Sequence, residues 1–368
     1  MVEATQGIAR IVEDMQGPTL GIAGSVHRRV HAVTRLVGGT IDTCLVPLAP
    51  LLGDARPPPK FRKMLAVLNG VVGDHLAATG NPLATPMELR RGDAALRLDR
   101  PWLAWALPGA RRKILILIHG SCMDDLLWLR RGHDHGVALE RDLGLTVLYL
   151  RYNSGLHVST NGQSLSGLLE RLVAAWPVPV RELALLAHSM GGLVCRSACE
   201  DGARAGLRWR GRLRKVVFLG TPHHGAPAER AGNWVNVVLG AAPLTEPLAR
   251  LPRIRSAGVT DLRHGNVLDR DWKGRDRFRV GPDPRRPLPL PRSVKCFTVA
   301  ASKATGPDAP LRGDGLVPVE SALGRHPDPA FDLRFPASHQ WIAWGTGHLD
   351  LLDHPEVYHR VRGWLARR

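Results

Sequence analysis

The sequence predicts an α/β protein built on a mostly parallel sheet with helices on both faces. Three observations predict it. Short, β-branched, oily runs recur through the last two thirds of the chain. Segments with helical periodicity separate several of them. The runs are apolar almost throughout, with no inside–outside alternation, as strands buried on both faces are. At 368 residues and 44% hydrophobic content, one large domain with insertions can bury a sizeable core.

The elements follow in order. Residues 1 to about 85 read as helices without strands: Val26, Val30, Val33 and Val37 recur at helical spacing, as do Phe61, Met64, Leu65, Leu68, Val72 and Leu76. "ARPPPK" (55–60) separates the two patterns. This N-terminal helical extension reads as a hairpin packed on the main domain. An amphipathic basic surface resting on a membrane is the alternative, disfavoured because acids are mixed with few basic residues. Strands are predicted at "KILILIHG" (113–120), "TVLYLRY" (146–152), "ELALLAHS" (182–189), "KVVFLGTP" (215–222) and "VKCFTVAAS" (294–302). "FDLRFP" (331–336) is expected as the last strand, and "AALRLDR" with "WLAWAL" as an antiparallel edge. "LSGLLERLVAAW" (165–176) is helical, and "PEVYHRVRGWLARR" is a closing helix with proline at its start. The span of some seventy residues between the strands near 219 and 294 is too long for a connection. It is expected to fold as a cap, about 223–290, in which Trp234, Val235, Val238, Leu239, Leu244 and Leu248 cover an apolar pocket.

Composition excludes several classes. The formal net charge of +17 comes mostly from scattered arginine, with only 5% aromatic residues and no zinc knuckle or basic helix repeat. Nucleic acid is therefore not the expected partner. Five cysteines, Cys44, Cys122, Cys195, Cys199 and Cys296, are too sparse and odd in number for a disulfide framework. The acidic N-terminus lacks a signal-peptide core, and no run of eighteen apolar residues is present, so a cytoplasmic location is expected. No metal or nucleotide motif is visible, so no cofactor is expected.

The chemistry is carried by "LALLAHSMGGLVCRS" (183–197). A serine at a sharp turn between a parallel strand and a helix projects its hydroxyl above the carboxyl edge of the sheet. Such a turn is crowded, so the positions two before and two after must be small; here they are Ala187 and Gly191. This is the nucleophile elbow G-x-S-x-G with alanine in the first glycine's place. Ser189 is the candidate nucleophile. A hydroxyl needs a base to take its proton and an acid to orient that base. "LRGDGLVPVESA" offers Asp314 after one strand, and "WGTGHLDLLDHPEVY" offers His348 before the final helix. His339 is the rival base, and Asp308 and Asp328 are rival acids. Attack on an acyl carbonyl also needs fixed N–H donors, and Met190 supplies one at the helix start.

From about residue 110 onward, the chain resembles α/β-hydrolase-fold serine esterases and lipases. The HG loop, AHSMGG, "FLGTPHHG", DGLVP and the GH near the end carry the likeness, and "GTPHHG" is especially similar to bacterial lipases. The resemblance implies a hydrolase domain over 86–368 and a Ser189–Asp314–His348 triad. It implies a second oxyanion donor in "LIHGSCMDD", assigned to Ser121, with Cys122 as the alternative. It also implies a lipid-like or otherwise apolar acyl ester as substrate. An acyltransferase on the same fold is an alternative, as is a non-catalytic lipid- or membrane-binding protein.

Overall fold

The computed structural model describes residues 59–226, 255–278, 281–283, 285–310 and 312–367, without the side chains of residues 59 and 60. The helical pattern at 26–37 and the six expected cap residues from Trp234 to Leu248 lie outside the described residues. Helix α1, Pro59–Ala78, begins at proline and kinks at Val72 (φ −132°, ψ 16°). Its Val67, Leu68, Val71 and Leu76 are buried.

An eight-stranded sheet follows in the order β10-β9-β8-β7-β3-β6-β1-β2. The strands are β1 (Glu88–Arg91), β2 (Ala94–Ala95), β3 (Lys113–Ile118), β6 (Thr146–Arg151), β7 (Glu182–His188), β8 (Leu213–Leu219), β9 (Lys295–Ser302) and β10 (Gln340–Trp344), with a two-residue ribbon of β4 (Leu129–Arg130) and β5 (His133–Asp134) set apart. All pairs from β10 to β6 are parallel, and β1 is antiparallel to β6 and β2. This is the mostly parallel α/β sheet that the buried apolar runs predict, in the arrangement the α/β-hydrolase resemblance implies. The longer helices are α2 (Arg100–Ala106), α3 (His135–Leu143), α4 (Val158–Ala175), α5 (Met190–Arg204) and α6 (Pro355–Ala366).

The period of two along β3 divides the core. Ile114, Ile116 and Ile118 face Leu165, Leu169 and Leu172 of α4 and Leu193 of α5. Leu115 and Leu117 share the other face with Leu139 of α3 and with Val357, Val361 and Trp364 of α6. Both faces of the sheet are thus covered, so its central strands carry no exposed side and no alternation.

Two sequence expectations change. "FDLRFP" is not a strand: the last strand is "QWIAW", Gln340–Trp344, which pairs with Thr298–Ser302 of β9. Arg334 lies at φ 50° and its N–H is capped by Asp332 Oδ1 at 2.8 Å, a turn that extended pairing cannot accommodate. "WLAWAL" is helical, because Asp99 accepts from Trp102 N at 2.8 Å and Pro101 fits the first turn. The expected antiparallel edge holds at the start of "AALRLDR", where Ala94 and Ala95 pair with Arg91 and Arg90 of "ELRR".

Candidate active site

β3 and β7 are adjacent, but the connections leaving them run to opposite sides of the sheet: β3 leads to β6 and β7 leads to β8. Ligands of open α/β sheets bind in the crevice at such a switch point, outside the carboxyl ends of the strands. The loop after β3 begins with His119-Gly120-Ser121, and the turn after β7 is Ser189.

Ser189 stands at φ 57°, ψ −128°, a conformation few non-glycine residues adopt. Its N–H donates to Leu219 O at 2.8 Å, which ties the elbow to the end of β8. Small neighbours are needed for this turn. A Cβ on Gly191 would lie 2.5 Å from His119 O and 2.7 Å from Ile118 O, both backbone atoms. A Cβ on Gly120 would lie 2.9 Å from Ser189 Cβ, so the post-β3 loop closes directly on the serine. Gly191→Ala should therefore lower stability by about 1–3 kcal/mol through overpacking, read from the denaturant midpoint of the purified variant. A wild-type midpoint would show that the elbow has room to spare.

Asp314 follows β9 and His348 follows β10. His348 Nδ1–H donates to Asp314 Oδ2 at 2.6 Å, and both residues are 2% exposed. The other carboxylate oxygen, Oδ1, accepts the N–H groups of Leu316 and Val317 at 2.8 and 2.7 Å. The backbone agrees with this arrangement, since His348 N donates to Asp314 O at 3.2 Å. With Nδ1 protonated toward the carboxylate, Nε2 is the nitrogen left to act as a base. His348 and Ser189 flank the same turn: a Cβ on Gly220 would lie 3.2 Å from the His348 ring, while Ser189 N is bonded to the preceding Leu219.

The rivals lie elsewhere. His339 bonds Cys296 O at 3.0 Å and packs on Phe297, near the start of β9 and thus toward the opposite end of the strands from Ser189. Asp308 and Asp328 are exposed. Ser121, next to Gly120, and Met190, next to Ser189, are both buried, and Met190 opens α5, where an N–H has no intrahelical acceptor. Cys122 N is already committed, donating to Ser154 Oγ at 3.0 Å, and burial pushes the Cys122 thiol up to about 11. Neither the oxyanion role nor a thiolate suits it.

Three features escaped sequence reasoning. Ser189 was expected to project its hydroxyl above the sheet edge, but the residue is fully buried and its Oγ has no hydrogen-bond partner. His188, next to Ser189, holds the backbone of His348: its Nε2–H donates to His348 O at 3.1 Å, and burial keeps its ring neutral by lowering its pKa well below the ordinary value. Arg130 reaches Asp350 at 3.1 Å, while Asp350 Oδ2 accepts from Gly347 N at 3.1 Å, bracing the loop beside His348. No local pattern announces contacts between residues so far apart in the chain. His223 is fully buried and packs edge-on to Phe218.

Residues 159–284 match the PGAP1-like alpha/beta domain family, about a third of the chain. No curated protein matches. Among solved structures, the mature lipase BlEst2 of Bacillus licheniformis is similar at 16% identity and TM-score 0.45, covering 69% of this chain and 91% of its own. The Pyrococcus furiosus esterase Pf2001 is similar at 13% identity and TM-score 0.41, over 70% of this chain and 82% of its own. A thermophilic esterase from Thermogutta terrifontis is similar at 14% identity and TM-score 0.38, over 76% and 92%.

Proposed function

We propose, on the premise that this chain is an α/β-hydrolase-fold protein, that it is a serine hydrolase of carboxylic esters acting through an acyl-enzyme. The observation that carries the reading is the buried Asp314–His348 hydrogen bond of 2.6 Å beside a serine held at φ 57° between β7 and α5. Ser189 Oγ attacks the ester carbonyl while His348 Nε2 takes its proton. Asp314 fixes the imidazole tautomer and stabilises the imidazolium that forms. The N–H groups of Met190 and Ser121 receive the developing oxyanion. His348 then returns the proton to the departing alcohol, and water deacylates Ser189 by the reverse route.

The substrate class proposed is a lipid-like or otherwise apolar acyl ester, in keeping with the motifs around "GTPHHG". Among the described residues no helix is long and apolar enough to cross a membrane.

The test is covalent labelling. A fluorophosphonate probe should modify the wild-type protein at Ser189 and leave Ser189→Ala unlabelled. A p-nitrophenyl ester series of rising chain length then reads the acyl preference, and adding an acceptor alcohol separates hydrolysis from acyl transfer. Folded wild-type protein that neither takes up the probe nor cleaves any ester would overturn the reading in favour of a non-catalytic lipid-binding protein.

A further inference from the structure

Helix α1 lies outside the family match and outside every motif that builds the site, yet it bears directly on the loop after β3. Gly70 is where the two backbones meet. A Cβ there would stand 2.3 Å from Cys122 Sγ and 2.7 Å from Cys122 Cα, so any side chain at position 70 must displace the loop. One turn from the start of the helix, Arg62 is 8% exposed and donates through Nη2 to both carboxylate oxygens of Asp125 at 3.0 Å. Its Nε lies 3.8 Å from Asp124 Oδ2. Arg151 of β6, with Nε to Oδ1 at 2.7 Å, and Arg90 of β1, with Nε 3.3 Å from Oδ2, complete the grip on Asp125.

The second half of the loop is thereby held from two sides. On the far side, Ser154 Oγ accepts Cys122 N–H, and Asn153 of the same segment donates to Gly73 O of α1 at 2.8 Å. Cys122 itself sits at φ 59°. A non-glycine residue stays in that region only when its surroundings fix it there. Between this clamp and the nucleophile stand only Gly120 and Ser121, and Gly120 touches Ser189.

We propose that Gly70 and Arg62 of α1 are positioning residues that set the 119–125 loop, and with it the Ser121 N–H, at the distance from Ser189 that an oxyanion requires. The proposal rests on the reading of Ser189 as nucleophile. Glycine in a helix interior is otherwise a poor choice, since alanine favours the helix. Its presence at 70 is explained by the contact with Cys122. The ion pairs on Asp125 could have a purely structural purpose, so the discriminating quantity is how a substitution divides between stability, KM and kcat.

The experiment uses the full chain with Gly70→Ala and Arg62→Lys, the latter keeping the charge on Asp124 and Asp125 while losing the guanidinium fork. Loss of one oxyanion donor costs about 10²–10³ in kcat, so Gly70→Ala should lose about that much, and Arg62→Lys about tenfold. KM for a p-nitrophenyl ester should stay within about threefold, because the ground-state carbonyl makes little use of the donor. Affinity for a trifluoromethyl ketone, which forms the oxyanion, should fall in step with kcat. Should Gly70→Ala fail to fold, Arg62→Lys decides alone. Folded variants with wild-type kcat and ketone affinity overturn the positioning role while leaving Ser189-dependent hydrolysis intact. Absence of any Ser189-dependent turnover in the wild type overturns both this proposal and the function on which it rests.

Discussion

Ser189→Ala is expected to lower ester hydrolysis by about 10⁴–10⁶-fold with no loss of stability. The stability half of that expectation comes from the structure: Ser189 Oγ is buried and unpartnered, so its removal breaks no hydrogen bond. Losing a buried, unsatisfied polar atom is neutral or mildly favourable. His348→Ala should be impaired to a similar degree, and Asp314→Asn by about 10⁴-fold. Asn at 314 keeps an oxygen for the Leu316 and Val317 amides, so this variant should fold, yet its NH₂ group faces His348 Nδ1 and imposes the wrong tautomer. Because the three act as a unit, the double variant Ser189→Ala/His348→Ala should be no worse than the worse single one. The measurement is kcat/KM for each folded variant, with His339→Ala as the comparison. If His339→Ala is the severe variant and His348→Ala the mild one, the base has been misassigned.

The second large effect is acid sensitivity. Burial lowers the imidazoles of His119 and His135 to about 4, from an ordinary value of 6.5. A base whose folded pKa is depressed takes up more protons unfolded than folded between those two values. Its contribution to stability is therefore intact above pH 6.5, falls as pH falls through the window, and is fully lost below about 4. At pH 5 each of these histidines costs about 2 kcal/mol relative to pH 7.5. His188 and His223 shift in the same direction, also through burial. Asp124, Asp125 and Asp261 oppose them, each raised chiefly by burial. The Asp124 carboxyl is raised to about 6, first by burial and then by Asp125, so the folded state binds its proton more readily and gains about 1 kcal/mol at pH 5. The lowered histidines outnumber these carboxylates, so the expected net effect at pH 5 is a loss from a total stability of about 5–15 kcal/mol. Urea titrations at pH 7.5 and pH 5 should show this as a large fall in the midpoint. An unchanged or rising midpoint would show that the buried histidines do not govern the acid limb.

What the sequence determined by itself is local in origin. The buried strands announced themselves because a strand covered on both faces is apolar at every position. The elbow was legible because its crowding constrains residues two positions away: Ala187 and Gly191 flank Ser189 for a reason visible in five residues. Asp314 and His348 could be nominated because each stands in a loop next to a predicted element. Only the tertiary structure decided which of two short apolar runs became the last strand. The sequence pointed to "FDLRFP", but "QWIAW" is the run that pairs with β9, a partner about forty residues away. The same holds for the contacts that give the site its rigidity. His188 reaches His348 O across 160 positions, and Arg62 reaches Asp125 across 63. A hydrogen bond between distant segments imposes no spacing rule on either one. For that reason the burial of Ser189, and the seating of α1 on the loop after β3, were settled only when the chain closed on itself.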